Sequence, residues 1–445
     1  MDAAPAPTGI PATLGHPDAA RFWLVVILTG IGAGVGAIVL TRLLEAVQRL
    51  AWPGSANLLD AATGGGPWRH VLVLLGAGAL TGLAQIVLRR LTSGNAIDLT
   101  EAIWFRAGRL PALRTLASAM LSVVLVGMGS SLGREGAPKQ AGAVIANALS
   151  DRARLSDEQR RLLVACGAGA GMAAAYGVPL GGALFAVEVL RGTLALRLIL
   201  PALLASLIAT AVAWLVLPDA VTYVIPAYPS AWPVVVWALV AGPVVGVVSV
   251  GYVRAIAWAD AHKPGGWRRV LWPVLALGVL GVVSIPFPQL LGNGRDVAQL
   301  ALVGQVAPVL LLVLVVLKPA ATVMCLGSGA PGGLFTPSLS LGALLGGLLG
   351  WGWSLLWPGA PLGLYALCGA GAVLAATTQG PVSAVVLVME LTGRDRSFIV
   401  PLLLAVVSAT LVARSIEPRS IYDARLTDAE VTARQRTREP PVHPV

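Results

Sequence analysis

Long apolar runs, cut by short polar or glycine-rich interruptions, organise this chain. The runs at 22–41, 70–88, 195–217, 232–258 and 270–292 have about the 17 to 25 residues that a helix needs to cross the hydrocarbon core of a bilayer. They do not alternate as barrel strands do, so they predict helical spans. The pattern predicts a first helix over about 22–50 and a second from His70 to Leu91. Further apolar stretches follow at 111–128 and 139–149, then an exposed mixed-charge connection from Asp151 to Arg161. The Gly/Ala-rich run from Leu162 to Leu190 is broken at Gly177-Val178-Pro179, and small residues at that density let helix backbones approach closely. Residues 1–20 are rich in Pro and Ala and predict a disordered start without a cleaved signal. The apolar pattern stops after 413, so 414–445 reads as a short cytoplasmic tail that carries Tyr422.

Two interruptions stand out. The first, Gly129-Ser130-Ser131-Leu132-Gly133-Arg134-Glu135-Gly136-Ala137-Pro138, puts an ionisable pair inside oily surroundings. One reading is that its glycines open the helix and bare amide N–H groups to a permeating anion, with the Glu135 carboxylate competing for the same positive pocket. The other is a solvent loop between two membrane helices. The second interruption is Gly327-Ser328-Gly329-Ala330-Pro331-Gly332-Gly333-Leu334-Phe335-Thr336-Pro337.

The interruptions belong to an internal duplication. Cys166-Gly167-Ala168-Gly169-Ala170 recurs as Cys368-Gly369-Ala370-Gly371-Ala372, and Pro179 with Glu188 recurs in the same register as Pro381 with Glu390. The halves are predicted as 21–217 and 218–413. Paired broken helices in duplicated halves point to a transport site at the repeat interface, near the membrane midplane. Each helix N-terminus would contribute about half a positive charge, with no lysine expected in the pathway to hold the ion too tightly.

Composition narrows the class. Of the 445 residues, 12% are charged and 56% hydrophobic, and a soluble domain carries about twice that charge. The net charge of +10 is concentrated in short connections: Arg106, Arg109 and Arg114, then Arg152 to Arg161, then Lys263 to Arg269, and the tail. That distribution sets orientation, with the basic loops on the cytoplasmic side of a multi-pass protein of the cell's inner (plasma) membrane. It speaks against a nucleic-acid partner, since no soluble basic domain is present to bind one. Cys166, Cys325 and Cys368 lie in apolar segments without metal-ligand spacing and read as small buried side chains. No metal or other cofactor is expected.

Other chemistries fit less well. Gly327-x-Gly329-x-x-Gly332 matches a dinucleotide fingerprint, but no strand-helix-strand unit surrounds it. An intramembrane serine hydrolase using Ser328 is a distant alternative, since His16, His70, His262 and His443 lie in termini, loops or at a helix start. Glu188 and Glu390 can be read as proton carriers or as packing and capping residues, with capping favoured. Tyr422 on its own reads as an interfacial anchor.

From about residue 22 to Tyr422 the chain resembles the CLC family of chloride channels and chloride/proton exchangers. The resemblance rests on Gly133-Arg134-Glu135-Gly136, on the second interruption through Pro337, on the run from Pro179 to Glu188, and on Tyr422. It implies an all-α polytopic membrane protein of two inverted, homologous halves, dimerising, with a separate anion pathway in each subunit. Glu135 would be the gate. Ser93 and Tyr422 would coordinate a central chloride through their hydroxyls, and Leu334 and Phe335 through backbone N–H groups. Gly133, Arg134, Gly136, Gly333 and Pro337 belong to the motifs that line the pathway. Glu135 and Glu188 mark a possible proton path. A serine at 93 implies chloride over nitrate.

Three departures matter. Ala137 intervenes before Pro138, where the family's proline follows the glycine directly. Thr92-Ser93-Gly94-Asn95-Ala96 replaces the family's Gly-Ser-Gly-Ile-Pro. Val189 stands where many exchangers of the family carry an inner glutamate. The last favours passive, channel-like conduction, with proton-coupled chloride exchange as the alternative.

Overall fold

The computed structural model describes residues 19–91 (backbone alone at 89–91), 98–229, 231–394, 398–423, 426 and 429–432. Of the N-terminal segment 1–20 predicted as disordered, 1–18 lies outside these residues while Ala19 and Ala20 already belong to a helix, and most of the basic tail also lies outside them. In chain order the helices are α1 Ala19–Ala51, α2 Leu58–Thr63, α3 Pro67–Leu91, α4 Leu99–Phe105, α5 Ala112–Gly127 and α6 Gly136–Arg152. Then come α7 Asp157–Tyr176, α8 Pro179–Leu184 continued by a π-helical turn Phe185–Leu190, α9 Leu196–Trp214, α10 Trp232–Ala261 and α11 Arg268–Val283. The remainder are α12 Arg295–Leu302, α13 Pro308–Gly327, α14 Phe335–Ser354, α15 Leu362–Thr378, α16 Pro381–Thr392 and α17 Ile399–Ile416. Among the described residues the β-type pairing is confined to an isolated bridge between Gly133 and Gly333.

Among the described residues six helices, α1, α3, α9, α10, α13 and α17, are long and apolar enough to cross a membrane. Their outward faces carry bare aliphatic side chains, such as Leu24, Leu28, Val35 and Val39 of α1 and Leu239, Val240 and Val247 of α10. Contiguous apolar surface of that extent is stable against lipid and not against water. The protein is an integral, multi-pass membrane protein.

Two expectations about elements need correction. The run at 270–292 does not form one span: α11 has 16 residues and ends at Val283. Pro286 and Pro288 lie just beyond, and proline cannot continue a helix. Nor is 151–161 an exposed connection throughout. Ser156 caps α7, accepting from the Gln159 amide at 3.3 Å, while the Gln159 side chain accepts from the Ser156 amide at 3.0 Å. This reciprocal cap starts the helix at Asp157. Arg160 is then buried, bonded to Asp151 at 2.7 Å and Asp157 at 2.9 Å.

The duplication seen in sequence recurs in packing. A methyl on Gly142 would lie 2.0 Å from the carbonyl oxygen of Gly167, and one on Gly167 would lie 2.3 Å from that of Gly142. Gly342 and Gly369 repeat the contact, with 2.5 Å in each direction. So α6 meets α7, and α14 meets α15, backbone to backbone, as membrane helices do when small residues line their contact. Cys166, Cys325 and Cys368 are buried and free.

Candidate anion site

Both interrupted helices break in the same way. α5 and α13 end in turns in which Gly129 and Gly329 adopt φ of +101° and +96°, a conformation open to glycine and strained for other residues. After each turn the chain re-enters a helix, α6 from Gly136 and α14 from Phe335. The two breaks are joined where they meet. Gly133 N–H donates to the Gly333 carbonyl at 2.7 Å, and Gly333 N–H donates back to Gly133 at 2.8 Å. Gln85 on α3 braces the second turn by donating to the Gly329 carbonyl at 3.0 Å.

Glu135 lies at this junction and is fully buried, which rules out the solvent-loop reading of the first break. Its Oε1 accepts from the Phe335 amide at 2.6 Å, and its Oε2 accepts from the Thr336 hydroxyl at 3.2 Å and the Tyr176 hydroxyl at 3.5 Å. Tyr176 and Thr336 are themselves 3.0 Å apart. A carboxylate therefore occupies the N-terminus of α14, where free N–H groups and the helix dipole favour negative charge. Room for it comes from two missing side chains. A methyl on Gly133 would sit 2.2 Å from Glu135 Oε1, and one on Gly333 would sit 2.1 Å from it. Pro337 lies in the buried first turn of α14, and Gly136 opens α6 against Gly333, whose amide would be 3.3 Å from an added methyl.

Two cavities border the junction. One, of about 440 Å³, is lined by Arg134, Asn293, Arg295, Asp296 and Gln299 among others. The Arg134 guanidinium stacks 4.7 Å from the centroid of the Tyr176 ring. The other, of about 70 Å³, is lined by Asp98, Gly136, Lys139, Gly333, Leu334 and Tyr422 among others. Arg134 lines the larger cavity and Gly136 the smaller, so the residues on either side of Glu135 in sequence each border one of them.

The structure thus gathers Glu135, Gly133, Arg134, Gly136, Gly333, Leu334, Phe335, Pro337 and Tyr422 into one place. Ser93, the other hydroxyl expected there, lies outside the described residues. Tyr422 packs edge to face on Phe185 at 5.5 Å and lines the smaller cavity, a placement more specific than that of an interfacial anchor. Three participants went unassigned from sequence. Tyr176 and Thr336 bond to Glu135, and Lys139 lines the smaller cavity beside Tyr422. Lys139 corrects the expectation of a lysine-free pocket. It lies one helical turn after Glu135, and that spacing puts the two on one face.

The hydrogen bonds of Glu188 run to α16. Its carboxylate accepts from the amides of Val382 at 3.1 Å and Ser383 at 2.6 Å, at the N-terminus of α16. Glu390 mirrors it, accepting from Leu180 at 3.0 Å and Gly181 at 2.6 Å at the N-terminus of α8. Val189, next to Glu188, is buried. Ser328 donates to the Cys325 carbonyl at 2.7 Å, and of the described histidines His70 is bonded to Ser284 and Ala62, while His262 is exposed against Trp258. Among the described residues no cluster of His, Cys, Asp and Glu could hold a metal ion.

Known proteins agree with this geometry. The profile of the voltage gated chloride channel family matches residues 77–414. The voltage-gated ClC-type chloride channel ClcB of Yersinia pseudotuberculosis is 36% identical over 416 residues, covering 90% of this chain and 99% of that one. The protein of the same name from Escherichia coli is 32% identical over 418 residues, covering 90% and 98%. Among solved structures, a slow cyanobacterial Cl⁻/H⁺ antiporter superposes with a TM-score of 0.78 at 22% identity, covering 95% of this chain and 98% of that one. A CLC-type fluoride/proton antiporter superposes with a TM-score of 0.71 at 22% identity, covering 91% and 98%. Motifs, paired helix breaks and relatives converge: the chain belongs to the voltage gated chloride channel, or CLC, family.

Proposed function

We propose that the chain moves chloride across the cell's inner membrane through a pathway inside each subunit, with the Glu135 carboxylate as its gate. One observation carries this reading: a buried carboxylate oxygen sits 2.6 Å from the Phe335 amide, at the N-terminus of α14. Chloride carries the same single negative charge, and helix N-terminal donors accept either anion. When Glu135 withdraws, displaced by an incoming anion or neutralised by a proton, its place is open to chloride. Leu334 and Tyr422 serve the smaller cavity, and Ser93 joins them on the strength of the sequence motif. Members of this family are transporters or channels, so no hydrolytic role remains for Ser328. Basic connections crowd the end of the molecule where Arg191 pairs with Glu158 and Trp104 donates to the Leu190 carbonyl, near the Tyr422 cavity. The positive-inside tendency makes that end cytoplasmic.

Two modes share this pathway. Val189 is apolar and cannot relay a proton, which supports passive conduction. The cyanobacterial Cl⁻/H⁺ antiporter and the fluoride/proton antiporter share this fold, which supports coupled exchange at least as strongly. Vesicles holding the purified protein, a chloride gradient and an internal pH probe separate the two. Uphill proton movement driven by chloride establishes exchange, and chloride flux without it establishes passive flow.

We also assign a homodimer. Exposed Leu180, Val382, Leu196, Leu200, Leu403 and Leu411 give α8, α9, α16 and α17 an apolar outer face. The mass of the detergent-solubilised protein by light scattering tests it.

A further inference from the structure

One helical turn beyond Glu135, Lys139 is buried at 5% exposure. Its Nζ lies 3.4 Å from Tyr422 Oη, 4.6 Å from the centroid of the Tyr422 ring and 5.0 Å from that of Phe185. It also lines the smaller cavity with Leu334, Gly333 and Tyr422. An ammonium has donors only. In the Lys139–Tyr422 contact the tyrosine oxygen therefore accepts, and its own hydrogen is left to point at an anion in the cavity. Two aromatic faces hold the ammonium by cation–π attraction, so the head of a long, flexible side chain is fixed at the cavity wall. Asp98 is the other charged lining residue, and its carboxylate accepts from the Thr100 amide at 2.9 Å as the cap of α4.

A pathway made of helix N-termini and hydroxyls meets an anion with partial charges alone, while a full positive charge binds it more strongly. Conduction needs binding firm enough to strip water from the ion and weak enough to let it go. We propose that Lys139 is an anion-contacting residue of the inner pathway, whose ammonium raises the chloride affinity of the position beside Tyr422 and slows chloride release. This rests on the reading of the chain as a chloride transporter.

The test compares Lys139→Met, Lys139→Gln and Lys139→Arg in the full-length protein, by calorimetric chloride titration in detergent and by chloride efflux from vesicles. Met and Gln are expected to weaken chloride binding about tenfold or more and to raise the maximal efflux rate. Arg, which keeps the charge, is expected to keep the binding. If Lys139→Met does not fold, the contrast between Gln and Arg carries the same test. Unchanged affinity and efflux in Met or Gln, with wild-type flux intact, overturn the proposal alone, as does an Arg variant as weak as Gln. A wild-type protein that moves no chloride overturns the transport reading and this proposal with it.

Discussion

The Glu135 carboxylate and the Phe335 amide, 200 residues apart in sequence, meet at 2.6 Å in a space that two glycines leave empty. The three atoms nearest a methyl on Gly133 all belong to the Glu135 side chain, whereas a methyl on Gly333 also meets the Gly136 backbone nitrogen at 2.9 Å. Gly133→Ala should fold and push the carboxylate off Phe335, and Glu135→Ala should relieve the clash in the double variant. Gly333→Ala should stay destabilised whatever stands at 135. Thermal unfolding of the two glycine variants, each with and without Glu135→Ala, checks this, and equal rescue of both by Glu135→Ala would count against the geometry.

Glu188 and Glu390 each cap the helix that carries the other. Charge-assisted bonds of this kind are worth about 1.5 to 3 kcal/mol. Glu188→Gln and Glu390→Gln should therefore each lower stability by about 1 to 2 kcal/mol and leave the ratio of proton to chloride flux unchanged. A changed ratio in Glu188→Gln alone would instead place that residue on a proton path.

Tyr422→Phe removes one hydroxyl from the smaller cavity and keeps the ring against Phe185. Loss of one hydrogen bond to an anion should weaken chloride binding about tenfold, as read by calorimetry. Unchanged affinity would remove Tyr422 from the site.

Glu417, just past α17, bonds to Arg254 at 3.0 Å and to Arg419 at 3.0 Å. Burial pushes its carboxyl up, but the bonds from the two guanidinium groups outweigh burial and hold it below the ordinary value of 4.5. A lowered carboxyl stabilises the fold fully above the unfolded value and loses that contribution as pH falls through the folded value. Wild-type Tm should thus fall as the medium is acidified below about pH 4.5. Glu417→Gln should be less stable by about 1 kcal/mol at neutral pH and show less of this acid loss. Identical acid profiles for the two proteins would show that the ion pairs contribute nothing.

The helical breaks and the duplication were readable because glycine and proline punctuate a chain locally, and Gly129 and Gly329 sit in matching turns. Glu135 was readable because a carboxylate inside an apolar run demands a partner. Which partner was only half readable. Phe335 came from the family motif, but Tyr176 and Thr336 are brought to Glu135 by packing between helices that no local pattern encodes. The reciprocal bonds of Glu188 and Glu390 likewise became visible only when both helix N-termini were placed. Lys139 was the instructive miss. It is one of only three lysines in a chain whose other permanently cationic side chains are arginine, and it stands four residues after Glu135. That spacing already put it on the same helix face as Glu135. The run at 270–292 failed for a different reason: hydropathy ignores proline, and the helix ends before Pro286.

Chloride efflux from vesicles across a range of pH, for wild type and Glu135→Gln, tests the gate most directly. If the Glu135 carboxylate competes with chloride for the Phe335 amide, wild-type flux rises as the medium is acidified, and the Gln variant carries chloride with that pH dependence gone. A Gln variant that keeps the wild-type pH profile would contradict the account.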